Sequence, residues 1–212
     1  MQKSFFLYIF LCLGVGGLGA FAVTSWLLPH VPTPPEQINV VVGTQQLHFA
    51  SDLLLKPLAN HTKPLASLDL RVSFPELGPA KPATIDGALP ASVVLHIIPA
   101  DPKLDPAERA AALYPRFLTS ATRTDTHGLV VQDFEQDSTY AGEMLFVAPP
   151  EGRVFSARCL TPERGGRLVH TSCVFQFRSD KIDVDASFPQ ALLADWQSLA
   201  LKLRAFVEEL KD

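Results

Sequence analysis

The chain has 212 residues, 18 of them basic and 22 acidic, for a formal charge of −4. A mildly acidic, mixed balance excludes a surface built to hold nucleic acid or to cling electrostatically to anionic lipid. With 47% apolar residues and 18 prolines, the composition points to an ordered domain with many rigid turns and not to a disordered tail.

After MQKS, no charged residue occurs from Phe5 to Leu28. At about 1.5 Å per residue this run makes a helix of roughly 36 Å, enough to cross a hydrocarbon core of about 30 Å. Trp26 falls where an indole ring suits the headgroup zone, and Pro29 stops the helix. The competing reading is a cleaved signal peptide: Lys3 gives a positive start, and Ala20-Phe21-Ala22 has the small-x-small form of a cut after Ala22. The apolar run continues past Ala22 and exceeds the usual signal core, which favours an uncut anchor, and the alternative stays open. Cys12 follows Phe10 and Leu11, which are too bulky for a lipid-attachment site. Lys3 flanks one end of the span, whereas Pro29 to His48 carries no Lys or Arg. The positive-inside rule therefore keeps the N-terminus in the cytoplasm and exports the remainder.

The expected organisation is a signal-anchor transmembrane helix over residues 1–28, a Pro-rich spacer over 29–37 and an extracytoplasmic α+β domain over 38–212. Pro29, Pro32, Pro34 and Pro35 stiffen the spacer. In the domain, INVVVGTQQLHF reads as a hairpin turning at Gly43-Thr44, with Leu47 and Phe49 facing the same way. A strand follows at Leu68–Phe74, and SVVLHII suits a central strand. DPAERAAALYPRFL predicts a middle helix: Asp105 caps, Pro106 sits first, Glu108 returns the capping bond, and Pro115 ends the helix after Tyr114. GLVVQDF is a further strand.

GEMLFVA, RVFSARCL, VHTSCVFQFR and KIDVDASF predict four strands in an antiparallel meander. Phe155, Ala157 and Cys159 share one face, as do Cys173, Phe175 and Phe177, and Ile182, Val184, Ala186 and Phe188 continue it. Folding about position 166 sets Cys159 opposite Cys173, which predicts a structural disulfide suited to an oxidising compartment. From Pro189 a long C-terminal helix is expected, with Leu192, Trp196, Leu199, Leu203, Phe206 and Leu210 as the stripe that packs on the meander.

Familiar chemistries find little support. No Gly precedes a Lys as in a phosphate loop, no Gly-x-Ser-x-Gly turn occurs, and no Ser has a Lys three residues on. The six histidines, at 30, 48, 61, 96, 127 and 170, have no second His or Cys at helical ligand spacing, and His170 and Cys173 alternate across a strand. His96 reads as a core histidine with a hydrogen-bond partner and His48 as outward-facing. Asp183/Asp185 and Asp133/Glu135 are paired carboxylates that could split into acid and base, but they fit a solvated strand face better. Arg158 lies beside Cys159 on the opposite face, as a surface cation. Asn60-His61-Thr62 has the form of a glycosylation acceptor. The expectation is no catalytic residue, no metal ligand and no cofactor.

The order DPAERAAALYPRFL, YAGEMLFVAPPEG, ARCL with Cys173 beyond it, and FPQALLADWQSL resembles a group of small uncharacterised bacterial proteins. These are single-pass proteins of Gram-negative bacteria, anchored in the inner membrane with a periplasmic domain. The resemblance covers most of the exported part and is strongest from about Asp105 onward. It implies an inner-membrane protein with its C-terminal domain in the periplasm, where glycosylation at Asn60 is not expected, and it brings no chemical step. The function expected on these grounds is a membrane-anchored periplasmic binding or accessory protein of an envelope assembly, more a binder than an enzyme. Its partners would be the lipid bilayer, through residues 5–28, and a protein of the envelope, with no nucleic acid. The alternatives are a hydrolase-like periplasmic enzyme with an unrecognised site and an exported inhibitor or immunity factor.

Overall fold

The computed structural model describes residues 34–58, 62–80, 91–161 and 172–211. The apolar run at 5–28, most of the spacer, Asn60-His61 and the 162–171 connection lie outside them. Among the described residues, no helix is long and apolar enough to cross a membrane.

Ten strands alternate with short helical pieces: β1 (Gln37–Val42), β2 (Gln45–Ala50), β3 (Leu68–Ser73), β4 (Ser92–Pro99), β5 (Leu118–Thr124), β6 (Val130–Phe134), β7 (Glu143–Val147), β8 (Ser156–Leu160), β9 (Ser172–Ser179) and β10 (Ile182–Pro189). The α-helices among the described residues are a single turn, α1 (Arg109–Ala112), and the long α2 (Trp196–Glu209). β1 and β2 form the expected hairpin, and the other eight strands make one antiparallel sheet in the order β3-β4-β10-β9-β8-β7-β6-β5. This is an α+β fold dominated by antiparallel sheet.

Period-two alternation explains the layering. One row of side chains crosses seven strands in register, Leu70–Leu95–Ala186–Phe175–Ala157–Phe146–Val131, and every member is buried. This face meets Leu199, Ala200, Leu203, Val207 and Leu210 of α2, together with Val40, Val42, Leu47 and Phe49 of the hairpin, in one core. Cys159 and Cys173 oppose each other within it and are joined as the predicted disulfide. SVVLHII is central, as expected, flanked by β3 and β10. The backbone N–H of His48 donates to Leu210 O at 2.8 Å, tying the hairpin to the end of α2.

The long C-terminal helix and the shorter middle one are both present, and their bounds need correction. The C-terminal segment is a 3₁₀ run, Gln190–Asp195, before α2 begins, because Asp195 (φ −123°, ψ 37°) leaves the helical region. Starting the α-helix later rotates the buried stripe. Leu193, Ala200 and Val207 join Leu199, Leu203 and Leu210 inside, while Leu192, Trp196 and Phe206 are only partly buried. The middle segment is broken into a 3₁₀ turn (Pro106–Glu108), α1 and a second 3₁₀ turn (Tyr114–Phe117). Pro115 has no N–H to continue an α-helix.

At the end of α2, Lys211 Nζ donates to Asp180 Oδ2 at 2.6 Å and lies 2.5 Å from Glu208 Oε2. Hydrogen bonds from Lys211 hold both carboxyls below the usual range, helped at Glu208 by the Ser179 hydroxyl. A depressed carboxyl stabilises the fold above its unfolded value, and that stability is lost as pH falls through the lowered one. Because both carboxylates are largely exposed, the effect is small. Lys211→Met is expected to flatten the loss of stability below about pH 4, as read by urea titrations across pH.

Candidate binding groove

The face of the sheet opposite α2 carries the chemistry-bearing side chains. A second row crosses all eight strands there: Arg71–Val94–Ser187–Val174–Arg158–Leu145–Gln132–Thr122. The middle segment covers part of this face. Asp105 Oδ1 accepts from the Ala107 N–H at 2.8 Å, the expected cap. The return bond from Glu108 is not made. Its carboxylate instead takes Arg153 Nη1 at 2.9 Å, which pins the segment to the β7–β8 corner.

Ala110, Tyr114, Phe134 and Leu145 form a second, smaller core there, flanked by Phe117, Tyr140 and Val147. Tyr114 meets Phe134 edge-on, with ring centroids 5.6 Å apart, and Tyr140 in the same way at 5.3 Å. Burial pushes the Tyr114 hydroxyl up, against the opposing pull of Arg158. Arg158 is no free surface cation. Its guanidinium lies 4.9 Å from the Tyr140 ring centroid and 5.7 Å from that of Tyr114, and Nη1 donates to Glu143 Oε2 at 2.7 Å.

Gly152 lets the middle segment approach the sheet. It holds φ +74°, and a Cβ there would sit 2.8 Å from Val147 Cγ1 and 3.2 Å from Ala110 Cβ. Gly152→Ala is therefore expected to cost about 2 kcal/mol or more, combining left-handed strain with overpacking. Gly128→Ala, at φ +80° in open space, serves as the strain-only control. Urea unfolding of both variants separates the two terms.

The other predicted residues are held apart from one another. His96 is a partnered histidine but not a core one. It sits on the outer face, its side chain 44% exposed, with Nδ1 2.6 Å from Asp69 Oδ1. Alternation on β4 buries Val93, Leu95 and Ile97 and turns His96 outward. Asp183 and Asp185 do not form a solvated pair. Asp183 is 3% exposed, accepts from Arg178 Nε at 2.7 Å and from the Asp101 N–H at 3.1 Å, and is covered by the 101–105 segment. Asp185 accepts from Gln176 Nε2 at 2.7 Å, and Gln176 Oε1 accepts in turn from Arg109 Nη1 at 2.8 Å. Asp133 is clasped by Arg123 through two hydrogen bonds of 2.7 and 3.2 Å. Among the described residues, no three His, Cys, Asp or Glu side chains are grouped to hold a metal ion.

An open groove of about 690 Å³ lies between the middle segment and the last strands of the sheet. Leu118, Val130, Leu145 and Val147 line it from the sheet side, and Ala110 and Pro115 from the helical side. Its charged lining residues are Glu135 and Glu151, and Glu151 accepts from Arg153 Nε at 3.1 Å. The sequence reading missed β5, which borders the groove. LTSATRT has none of the apolar alternation that marks a strand, because β5 ends the sheet and buries neither face at Ser120–Thr124.

No protein-family model and no curated protein matches the chain. Among solved structures it is similar to an immunity protein of the Stenotrophomonas maltophilia type IV secretion system. The two share 15% identity at a TM-score of 0.58, over 84% of this chain and 94% of that one. It is also similar to the iron-regulated outer membrane lipoprotein FrpD of Neisseria meningitidis, at 8% identity and a TM-score of 0.45, over 84% and 96%. The first likeness is one of fold alone.

Proposed function

We propose that the chain is a membrane-anchored protein of the bacterial envelope whose exported domain works by binding another protein, as an accessory subunit or an inhibitor. Residues 5–28 would hold it in the inner membrane, with the domain in the periplasm. The observation that carries the binding reading is the open, apolar groove with its carboxylates, the kind of exposed patch that marks a contact surface. A buried disulfide suits export to an oxidising compartment. The enzyme reading is weakened because its candidate acids are engaged, Asp183 by Arg178 and Asp133 by Arg123. Within the binding reading, the fold shared with a secretion-system immunity protein is compatible with an accessory or an immunity role.

Photo-crosslinking in intact cells tests this. A crosslinker placed at Ala111, in the groove, is expected to trap one protein at near-stoichiometric yield. A crosslinker at Leu201, exposed on α2, is expected to trap none. Identical adducts from both positions, or none from Ala111, would contradict the proposal.

A further inference from the structure

Going beyond the binding reading, we infer that the domain pairs with a second copy of this chain through the open edge of β5. The two β5 strands run antiparallel about a two-fold axis, and the two sheets become one. The edges of the eight-stranded sheet differ. β3 is covered by its own chain, through bridges from Leu54 to Leu70 and from Pro79 to Val72, with the Leu55 N–H donating to Asp69 O at 3.1 Å. β5 pairs with β6 alone among the described residues. An open edge is a template for a further strand, and natural edges are commonly blunted by proline or a free lysine. LTSATRT has neither, and its one cation, Arg123, is clasped by Asp133.

Hydrogen-bond alternation tells which groups that edge offers. The Asp125 N–H donates to Leu129 O at 2.9 Å, so these two residues form a bonded pair, and along an antiparallel ladder bonded pairs alternate with open ones. Arg123 and Val131 are then bonded to each other. Thr122 and Thr124, opposite Gln132 and Val130, direct their N–H and C=O groups away from β6. The Glu135 N–H, which donates to Phe117 O at 2.8 Å, keeps the same parity at the far end of β6. Pairing slips between Leu118 and Thr122, so Ser120 and Ala121 have no cross-strand partner on β6.

These groups are self-complementary. A two-fold antiparallel pair must set outward-directed residues opposite one another, which centres it on Ala121, Thr122 or Arg123. A centre at Arg123 would put two guanidiniums face to face, and one at Ala121 would set Thr124 against Leu118. A centre at Thr122 places Thr122 against Thr122, Ser120 against Thr124 and Ala121 against Arg123. No like charges then meet, and hydroxyl side chains face each other across the strands. Because β3 is covered, association through the sheet closes at two copies and does not grow into a ribbon. Leu118, Thr119 and Ser120 line the groove, so this axis brings the two grooves side by side and offers a partner a double surface.

The test uses the full-length chain in detergent micelles. Analytical ultracentrifugation is expected to find two copies per particle. Thr122 is exposed, so Thr122→Lys should leave the fold intact by circular dichroism, while like charges on the axis weaken association at least about tenfold. Mixing Thr122→Lys with Thr122→Glu chains is expected to restore the pair, which a misfolded variant could not do. Oxidising the Thr122→Cys chain, in a Cys12→Ser background, is expected to crosslink two copies, because bonded partners stand about 5.5 Å apart between Cα atoms, within disulfide range. Leu201→Cys, exposed on α2, is expected to give no crosslink. One copy per particle, a dimer that survives Thr122→Lys, or a charge-matched mixture that stays unpaired would overturn the proposal. Adducts of another protein at Ala111 report on the groove separately, so the dimer and the binding reading can fail independently.

Discussion

Phe175→Ala is expected to cost about 3–5 kcal/mol, enough to remove much of the stability of a domain this size. Phe175 is 1% exposed and stands in the middle of the row that crosses the sheet beneath α2. Its ring packs 5.1 Å from Phe177 and 4.8 Å from Phe155, centroid to centroid, while the Arg204 guanidinium covers it at 5.4 Å. Removing the ring loses its transfer energy and leaves a cavity that the flanking strands, fixed on both sides by hydrogen-bonded neighbours, cannot close. Urea unfolding should show a lower midpoint with an unchanged slope. Leu201→Ala is the matched control. Leu201 is exposed on α2, so the change should fall within about 0.5 kcal/mol.

Replacing both Cys159 and Cys173 by alanine is the second large effect, about 3 kcal/mol. The bond closes a loop with a sequence separation of 14 and restricts the unfolded chain more than the folded one, in which the register of β8 and β9 already sets the two residues face to face. For a domain of this length, that loss corresponds to a fall in melting temperature of roughly 6–12 °C. Both sulfurs lie in the main core, so reductant should act on the native protein only slowly. Reductant should lower the melting temperature of the wild-type chain after unfolding and leave that of the double variant unchanged. An equal response from both would remove the crosslink from the account of stability.

The main core was legible because strand burial has a period of two. Cys159, Cys173, Phe175, Phe177, Val184 and Phe188 could be placed on one face from spacing alone, and all are buried there. The disulfide followed from the same symmetry about position 166. The groove was not legible, and the reasons are physical. Its helical side depends on Pro115 breaking the middle segment into three pieces and on Gly152 admitting it to the sheet, and neither distance is written in a local pattern. Its border, β5, pairs on one side only among the described residues and carries no apolar alternation. Asp183 misled for a related reason. A carboxylate next to alternating apolar residues looks solvated, but the 101–105 segment that covers it is distant in sequence. The signal that could have found it is the excess of paired charges in QFRSDKIDVD, where Arg178 and Asp183 face each other across a tight hairpin.

The central claim is that a folded, crosslinked domain stands outside the cytosol on an N-terminal anchor. Thiol labelling of spheroplasts, combined with protease added from outside, tests it most directly. The account predicts that Cys159 and Cys173 stay unlabelled until the chain is unfolded and reduced, and that the added protease reaches the domain while the membrane is intact. Two cysteines that label after unfolding without reductant, in a domain that protease reaches only after lysis, would contradict it.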